Sequence, residues 1–317
     1  MGNTTPVIEQ RDTIVLPEAI EGDDYITCVN ALKNGKIAVV QQSGYLSIVN
    51  MKQYTVEYRE KHFEKKNEEE FILLLHEFKN QSLLLGTNNG NLYLLQYKEG
   101  SYYNTKECYE DNHYLENIQQ YSEDTLITIY WSKIMFWNVH DQIDLSAPRK
   151  TVDLFLSENS FRSRCLMKNA EHIFVELRET DAFLTEWIII SLEPFQIITK
   201  MYERCRYRYD CLVQVEEYKL LSTDEEGVFV LNVRTCQKEW KTYSWEHQFS
   251  EPIFLRLSDE FIFAKVNLKK EHYYLIDIKA KNAHEISLNE IFIIGMVKID
   301  EFNFCTYSHE SITLWKF

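Results

Sequence analysis

The chain has 317 residues, of which 45% are hydrophobic and 14% aromatic, and its formal net charge is −15. This composition is too apolar for a disordered chain and provides enough material for a packed core, and its aromatic excess favours strands over helices. The negative charge disfavours nucleic-acid binding and favours basic partners, and the apolar runs are too short for membrane insertion.

One short pattern recurs along the chain: a turn, then four or five mostly apolar residues, then a small polar or charged residue. Its copies, in chain order, are Leu46–Asn50, Leu92–Gln96, Ile134–Asn138, Trp187–Ser191, Val228–Asn232, Tyr273–Asp277 and Ile312–Lys316. Their final residues are spaced at 46, 42, 53, 41, 45 and 39 residues. These intervals centre on the roughly 40–45 residues that one four-stranded propeller blade needs.

Further strand-like runs accompany each copy. Shorter apolar runs precede several copies at 36–40, 82–86, 125–130, 173–177 and 261–266. Hairpin residues connect some of them, as at Ser43-Gly44 and Asn88-Asn89-Gly90. Earlier runs lie at 25–32, 71–78, 114–121, 211–215 and 253–257. Because no helical period is sustained, the sequence predicts an all-β protein.

Two copies of the pattern carry a tryptophan near their end, in Trp137-Asn138 and Trp315-Lys316. With this spacing, the chain resembles the WD40-repeat family, as a divergent member. In that family the marked strand is the third of each blade and ends in Trp-Asp. The resemblance and the seven copies together predict a seven-bladed β-propeller with four-stranded antiparallel blades.

The predicted domain organisation is an N-terminal tail at 1–12 and a single propeller at 13–317. The predicted blades are 20–66, 67–112, 113–157, 158–204, 205–248, 249–290, and 291–317 together with 13–19. The last unit ends at Phe317 without a fourth strand, whereas Thr13–Leu16 is a strand-like run with no blade of its own. We therefore expect this N-terminal strand to join the last blade and close the ring.

The sequence shows no motif for catalysis or for binding a cofactor. Phosphate-binding glycine loops, H-E-x-x-H, G-x-S-x-G and kinase signatures are missing, and no two histidines share metal-ligand spacing. The seven cysteines are scattered without a C-x-x-C pair, which is typical of buried free thiols in a reducing compartment. We predict a protein that is not an enzyme, needs no metal or cofactor, and is intracellular, in the cytoplasm or nucleus.

A basic and aromatic cluster is the first candidate site. It contains Arg204, Arg206, Tyr207 and Arg208, and the equivalent loop one unit earlier contains Arg162 and Arg164. On a WD40-like layout both segments lie on one rim, where the arginines could bind carboxylates or phosphates of a partner. The alternatives are salt bridges between blades and specific RNA or phosphate binding.

A set of aromatic residues near the innermost strands is the second candidate site, formed by Tyr25, Phe71, Tyr114 and Tyr209, with Phe183 nearby. Such rings could form a cage for a methylated lysine through cation–π attraction. The alternative is that they pack between blades. The neighbouring acidic run Glu68-Glu69-Glu70 is interpreted as a solvated turn.

These observations predict a non-catalytic protein-interaction scaffold, as a subunit of a larger intracellular complex with other proteins as partners. A rigid ring that carries loops on two faces and a rim suits several partners at once. The alternative function is a reader of basic peptides, including methyl-lysine peptides, at the mouth of the propeller channel.

Overall fold

The computed structural model describes residues 7–15, 24–109, 113–139, 143, 145–154, 161–168, 172–179, 184–192, 195–204, 213–224, 227–232, 234–235, 237–241, 250–267, 271–288 and 293–317. Within these ranges the chain forms strands and turns without a helix, and the strands make seven antiparallel sheets of four. A helix long and apolar enough to cross a membrane is therefore absent from these ranges.

Each sheet is one blade, and its strands follow the chain from the innermost to the outermost. Blade 1 contains β2 (Ile26–Ala31), β3 (Lys36–Gln41), β4 (Tyr45–Asn50) and β5 (Thr55–Lys61). Blade 2 contains β6 (Ile72–Glu77), β7 (Leu83–Thr87), β8 (Leu92–Lys98) and β9 (Ser101–Tyr109). Blade 3 contains β10 (Leu115–Gln120), β11 (Thr125–Tyr130), β12 (Lys133–Asn138) and β13 (Lys150–Asp153).

The remaining blades repeat this order, with one exception in the last. Blade 4 contains β14 (Phe161–Lys168), β15 (His172–Glu179), β16 (Leu184–Leu192) and β17 (Phe195–Arg204). Blade 5 contains β18 (Val213–Glu216), β19 (Lys219–Asp224), β20 (Gly227–Asn232) and β21 (Gln237–Lys241). Blade 6 contains β22 (Ser250–Arg256), β23 (Phe261–Asn267), β24 (Glu271–Asp277) and β25 (Asn282–Ile286). Blade 7 contains β26 (Gly295–Lys298), β27 (Asn303–Tyr307), β28 (Ser311–Lys316) and, as its outermost strand, β1 (Glu9–Val15).

The innermost strands of neighbouring sheets contact each other around the whole ring. The contacting pairs are β2 with β6, β6 with β10, β10 with β14, β14 with β18, β18 with β22, β22 with β26, and β26 with β2. The predicted all-β propeller with four-stranded antiparallel blades is confirmed. Within the described ranges the strands pair into seven four-stranded sheets, which correspond to seven blades and not to six or eight.

The N-terminal strand closes the ring by pairing with β28, in a register from Glu9 opposite Lys316 to Val15 opposite Ser311. This strand begins at Glu9, inside the predicted tail 1–12, and its described part ends at Val15, whereas residues 16–19 of the predicted closing segment lie outside the described residues. Glu9 to Asp12 are polar because an outermost strand faces solvent, and only Ile14 of β1 is buried. The hydrophobic pattern therefore marks only the second half of the strand.

The polar residue that ends a third strand stabilises the following turn. Asn50 Oδ1 accepts the backbone N–H groups of Lys52 at 2.9 Å and Gln53 at 3.2 Å, while its Nδ2 donates to Glu57 at 2.6 Å. Hydrogen bonds from Lys36 and then Asn50 lower the pKa of the Glu57 carboxyl. Blade 5 repeats the arrangement with Asn232, Glu239 and Lys219. The repeat thus encodes a side-chain-capped turn as well as a strand.

The apolar core lies between the blades. One cluster joins blade 7 to blade 1 and includes Ile14, Val49 and Ile312. The two tryptophans that carry the family resemblance are buried and make equivalent hydrogen bonds to the second strand of their own blade. These bonds are Trp137 Nε1 to Thr128 Oγ1 at 2.8 Å and Trp315 Nε1 to Thr306 Oγ1 at 2.9 Å.

Candidate functional site

The strand order defines two faces of the ring. The upper face carries the turns between second and third strands, such as 42–44 of blade 1, and the starts of the innermost strands. The lower face carries the turns between first and second strands, such as 32–35, and between third and fourth strands, such as 51–54. The members of the two predicted candidate sites that the structure describes belong to the upper face.

The structure places the arginines at the upper end of blade 4. Arg162 and Arg164 lie near the start of β14, and Arg204 is the last residue of β17. In a four-stranded antiparallel sheet, the start of the first strand and the end of the fourth lie at the same end, separated by about 14 Å, or three strand spacings. The other predicted members lie outside the described residues: Arg206, Tyr207 and Arg208. The convergence of the arginines stays a prediction.

Three of the five predicted cage residues occupy the same position in consecutive blades. Each directly precedes an innermost strand, and its carbonyl oxygen accepts a backbone hydrogen bond from the turn between the second and third strands. The bonds are Gln42 N to Tyr25 O at 2.9 Å, Asn88 N to Phe71 O at 3.1 Å, and Trp131 N to Tyr114 O at 3.2 Å. The residues that lie outside the described ranges are Phe183 and Tyr209. Tyr25, Phe71 and Tyr114 therefore share the upper mouth of the channel.

All three side chains are half-buried. Two of them pack their aromatic rings against other aromatic side chains of the propeller. The Tyr25 ring contacts His309 of blade 7 edge to face, with centroids 5.3 Å apart. The Tyr114 ring lies at 32° to the ring of Trp131, with centroids 5.1 Å apart. Each ring thus combines a packing contact with partial exposure, and whether they bind a ligand stays a prediction.

Carboxylates accompany these aromatic residues. Asp24 accepts hydrogen bonds from the Ser43 N–H at 2.7 Å and hydroxyl at 2.6 Å. Glu116 Oε1 accepts a hydrogen bond from Trp131 Nε1 at 2.6 Å. The mouth therefore presents acceptors and aromatic faces together, a combination that suits cationic side chains.

The burial of Glu70 contradicts part of the interpretation of the acidic run Glu68-Glu69-Glu70. The acidic run was interpreted as a solvated turn, and Glu68 and Glu69 are indeed exposed, but Glu70 is fully buried. Its carboxylate accepts hydrogen bonds from Asn91 Nδ2 and from the backbone N–H of Lys66, both at 2.8 Å. One feature of the sequence sets Glu70 apart from its neighbours: it directly precedes an aromatic residue, as Asp24 precedes Tyr25.

The chemistry of the described cysteines is that of packed side chains. Cys28 and Cys305 are buried free thiols, and burial raises the pKa of each to about 12. Such thiols are almost wholly protonated at neutral pH and therefore unreactive. In the part of the chain that the structure describes, no three His, Cys, Asp or Glu residues are grouped to hold a metal ion.

Comparison with known proteins gives a likeness of fold. No protein-family model matches the chain, and no curated protein matches it. Among solved structures, the chain is similar to BamB from Moraxella catarrhalis, with a TM-score of 0.60 and 12% sequence identity over 98% of this chain and 100% of that one. BamB is a propeller, and the likeness shows that this chain has a β-propeller fold.

Proposed function

We propose that this chain is a non-catalytic protein-interaction scaffold and a subunit of a larger complex. The observation that carries the proposal is a closed ring whose turns are held on a stiff frame. Polar contacts link the innermost strands of neighbouring blades, or the turns that follow them, at several places. They include Asn30 Nδ2 to Leu75 O at 3.0 Å, Lys33 N to Glu77 Oε2 at 2.7 Å, and Arg256 Nη1 to Gln214 O at 2.8 Å. Loops on such a frame keep their relative positions, which suits simultaneous binding of several partners.

Two finer features belong to this proposal. The equivalent hydrogen bonds of Trp137 and Trp315 support a divergent WD40-like propeller. The buried free thiols of Cys28 and Cys305 support a reducing, intracellular compartment, either cytoplasmic or nuclear.

The scaffold proposal is tested by the size and composition of the native assembly. We expect the tagged chain, expressed in its native cells, to elute from gel filtration well above its own 37.9 kDa, with stoichiometric partner proteins. We also expect the triple variant Arg162→Glu, Arg164→Glu, Arg204→Glu to lose at least one partner. A monomer without stoichiometric partners would contradict the scaffold, whereas partners that all survive the triple change would contradict only the arginine site.

A reader of basic peptides is the second candidate function, and the arrangement of Tyr114, Trp131 and Glu116 favours it. We expect a Lys-rich peptide with one trimethyl-lysine to bind more tightly than its unmethylated form. Because cation–π attraction contributes about 0.5–2 kcal/mol, Tyr25→Ala, Phe71→Ala and Tyr114→Ala should each weaken binding about 2- to 30-fold in fluorescence anisotropy. Equal affinity for both peptides, or no effect of any of the three changes, would reject this function.

A further inference from the structure

The lower face of blades 1 and 2 carries an unusual run of lysines. Four successive turns of these two blades each hold one lysine in the turn or directly beside it. They are Lys33, Lys52, Lys79 and Lys98, and all four are exposed. We name these residues the lysine sector.

Elsewhere on the lower face, the turns between first and second strands carry carboxylates. In the described turns of blades 3, 5, 6 and 7 these residues are Glu123, Asp124, Glu217, Asp259, Glu260, Asp300 and Glu301. The chain as a whole has a net charge of −15. Turns between third and fourth strands carry basic residues on other blades as well, but in blade 6 the carboxylate of Glu260 pairs with Lys279. In the lysine sector the described turns between first and second strands hold no carboxylate, and Glu99 is the one carboxylate in its turns between third and fourth strands. The lysine sector is therefore a local basic surface on a strongly acidic protein.

The sector is continuous across the boundary between the two blades. The backbone N–H of Lys33 donates to Glu77 Oε2 at the end of β6, at 2.7 Å, which places this turn against blade 2. Further out, the rings of Tyr58 and Tyr102 join β5 to β9, with centroids 5.5 Å apart. The four lysines therefore belong to one surface.

The charges of the sector are available to a partner. Among the described residues, no carboxylate forms an ion pair with Lys33, Lys52 or Lys98. Lys79 pairs with Glu123 at 2.5 Å, but both side chains are mostly exposed, and such pairs contribute little. The nearby Glu77 is buried beneath the surface. A carboxylate of a partner could therefore pair with Lys33, Lys52 or Lys98 without displacing an ion pair among the described residues.

Exposed aromatic side chains accompany the lysines. Tyr54, in the same turn as Lys52, is 37% exposed, and Tyr103, near the start of β9, is 51% exposed. Tyrosine is enriched at protein interfaces and among the residues that contribute most to their binding energy. The surface thus offers both ionic and apolar contacts.

We propose that the lysine sector, together with Tyr54, is a docking surface for an acidic segment of a partner protein that carries an apolar anchor side chain. This inference rests on the proposed scaffold function and names one of its binding surfaces. Charge complementarity favours an acidic occupant. A short segment would touch the sector alone, whereas a membrane or a long nucleic acid would also meet the acidic turns of the other blades.

The test uses a phage-displayed library of random 16-residue peptides selected on the intact chain. A charge-reversed variant carries Lys33→Glu, Lys52→Glu, Lys79→Glu and Lys98→Glu. Its matched control carries four reversals at exposed lysines outside the sector, namely Lys238→Glu, Lys279→Glu, Lys281→Glu and Lys316→Glu. The two variants have the same net charge and are compared after their melting temperatures have been measured.

We expect the selected peptides to be acidic and to contain an aromatic or large aliphatic residue. In fluorescence anisotropy, the sector reversal should weaken binding at least about 30-fold, the matched control less than about 3-fold, and Tyr54→Ala about 10-fold, as for an interface anchor. Raising the salt concentration should also weaken binding.

Peptides that are not acidic, or that bind both reversed variants equally, would overturn the docking surface. It would also be overturned if sector-dependent binding occurred only with phosphatidylserine vesicles or single-stranded RNA, or if the reversal only abolished self-association in sedimentation. These results leave the scaffold function intact if the native chain still elutes with stoichiometric partners. A monomeric native chain would overturn that function instead.

Discussion

Replacing Ile14 with aspartate is expected to lower the free energy of unfolding by about 4 kcal/mol or more. Ile14 is the only buried residue of β1, and it packs in the cluster that joins blade 7 to blade 1. The substitution removes a buried aliphatic side chain and places an unpaired carboxylate in an apolar interface. Urea denaturation followed by tryptophan fluorescence measures the change.

Val15→Asp is the matched control for this prediction. Val15 is the next residue of the same strand, but it is 69% exposed, so the same new charge should change the stability by no more than about 0.5 kcal/mol. Release of β1 would leave β28 as an unpaired edge, and we therefore also expect the Ile14 variant to aggregate. A monomeric Ile14→Asp protein with unchanged stability would show that β1 does not hold the ring closed.

The central strands of the blades could be predicted from the sequence because they are buried on both sides. The apolar run at 125–130 coincides with β11, and the run at 261–266 ends one residue before β23 does. Two-sided burial demands continuous apolar residues, and the turns between the strands supply the boundaries.

The outermost strands could not be predicted because they carry little hydrophobic signal. The strand β5 contains Thr55, Glu57 and Arg59, and it is mostly exposed or half-buried. Its position is set by pairing with β4 and by the bond between Asn50 and Glu57. The first half of β1 was missed for the same reason.

Buried charged groups of the candidate site were also beyond prediction. Glu70 and Glu69 are adjacent in the sequence, yet one is buried and the other is exposed. The difference depends on Asn91, which lies 21 residues further along the chain and donates to Glu70. Only the fold brings such partners together, so composition and spacing could identify the acidic run but not the buried carboxylate.

Lys265 provides a second buried charge, and it links blade 6 to blade 7. Only 1% of its side chain is exposed, although it lies in the apolar strand β23. Its ammonium group pairs with Glu271 Oε1 at 2.7 Å and donates a hydrogen bond to the Ile293 carbonyl of the next blade. The other oxygen of Glu271 accepts a hydrogen bond from the Tyr273 hydroxyl at 2.5 Å. Both ions are therefore held by several polar partners.

We expect Glu271→Gln to destabilise the protein by about 3–5 kcal/mol, because it removes the carboxylate that pairs with the buried ammonium group of Lys265. Adding Lys265→Met should recover much of this loss, since it replaces the buried ammonium group with an apolar side chain of similar length. Glu260→Gln is the control: Glu260 pairs with Lys279 where both side chains are well exposed, so the change should stay below about 1 kcal/mol. Urea denaturation at 25 °C measures all three. If Glu271→Gln behaves like Glu260→Gln, or if the double variant is less stable than the single one, the pair of Lys265 with Glu271 does not stabilise this junction between blades.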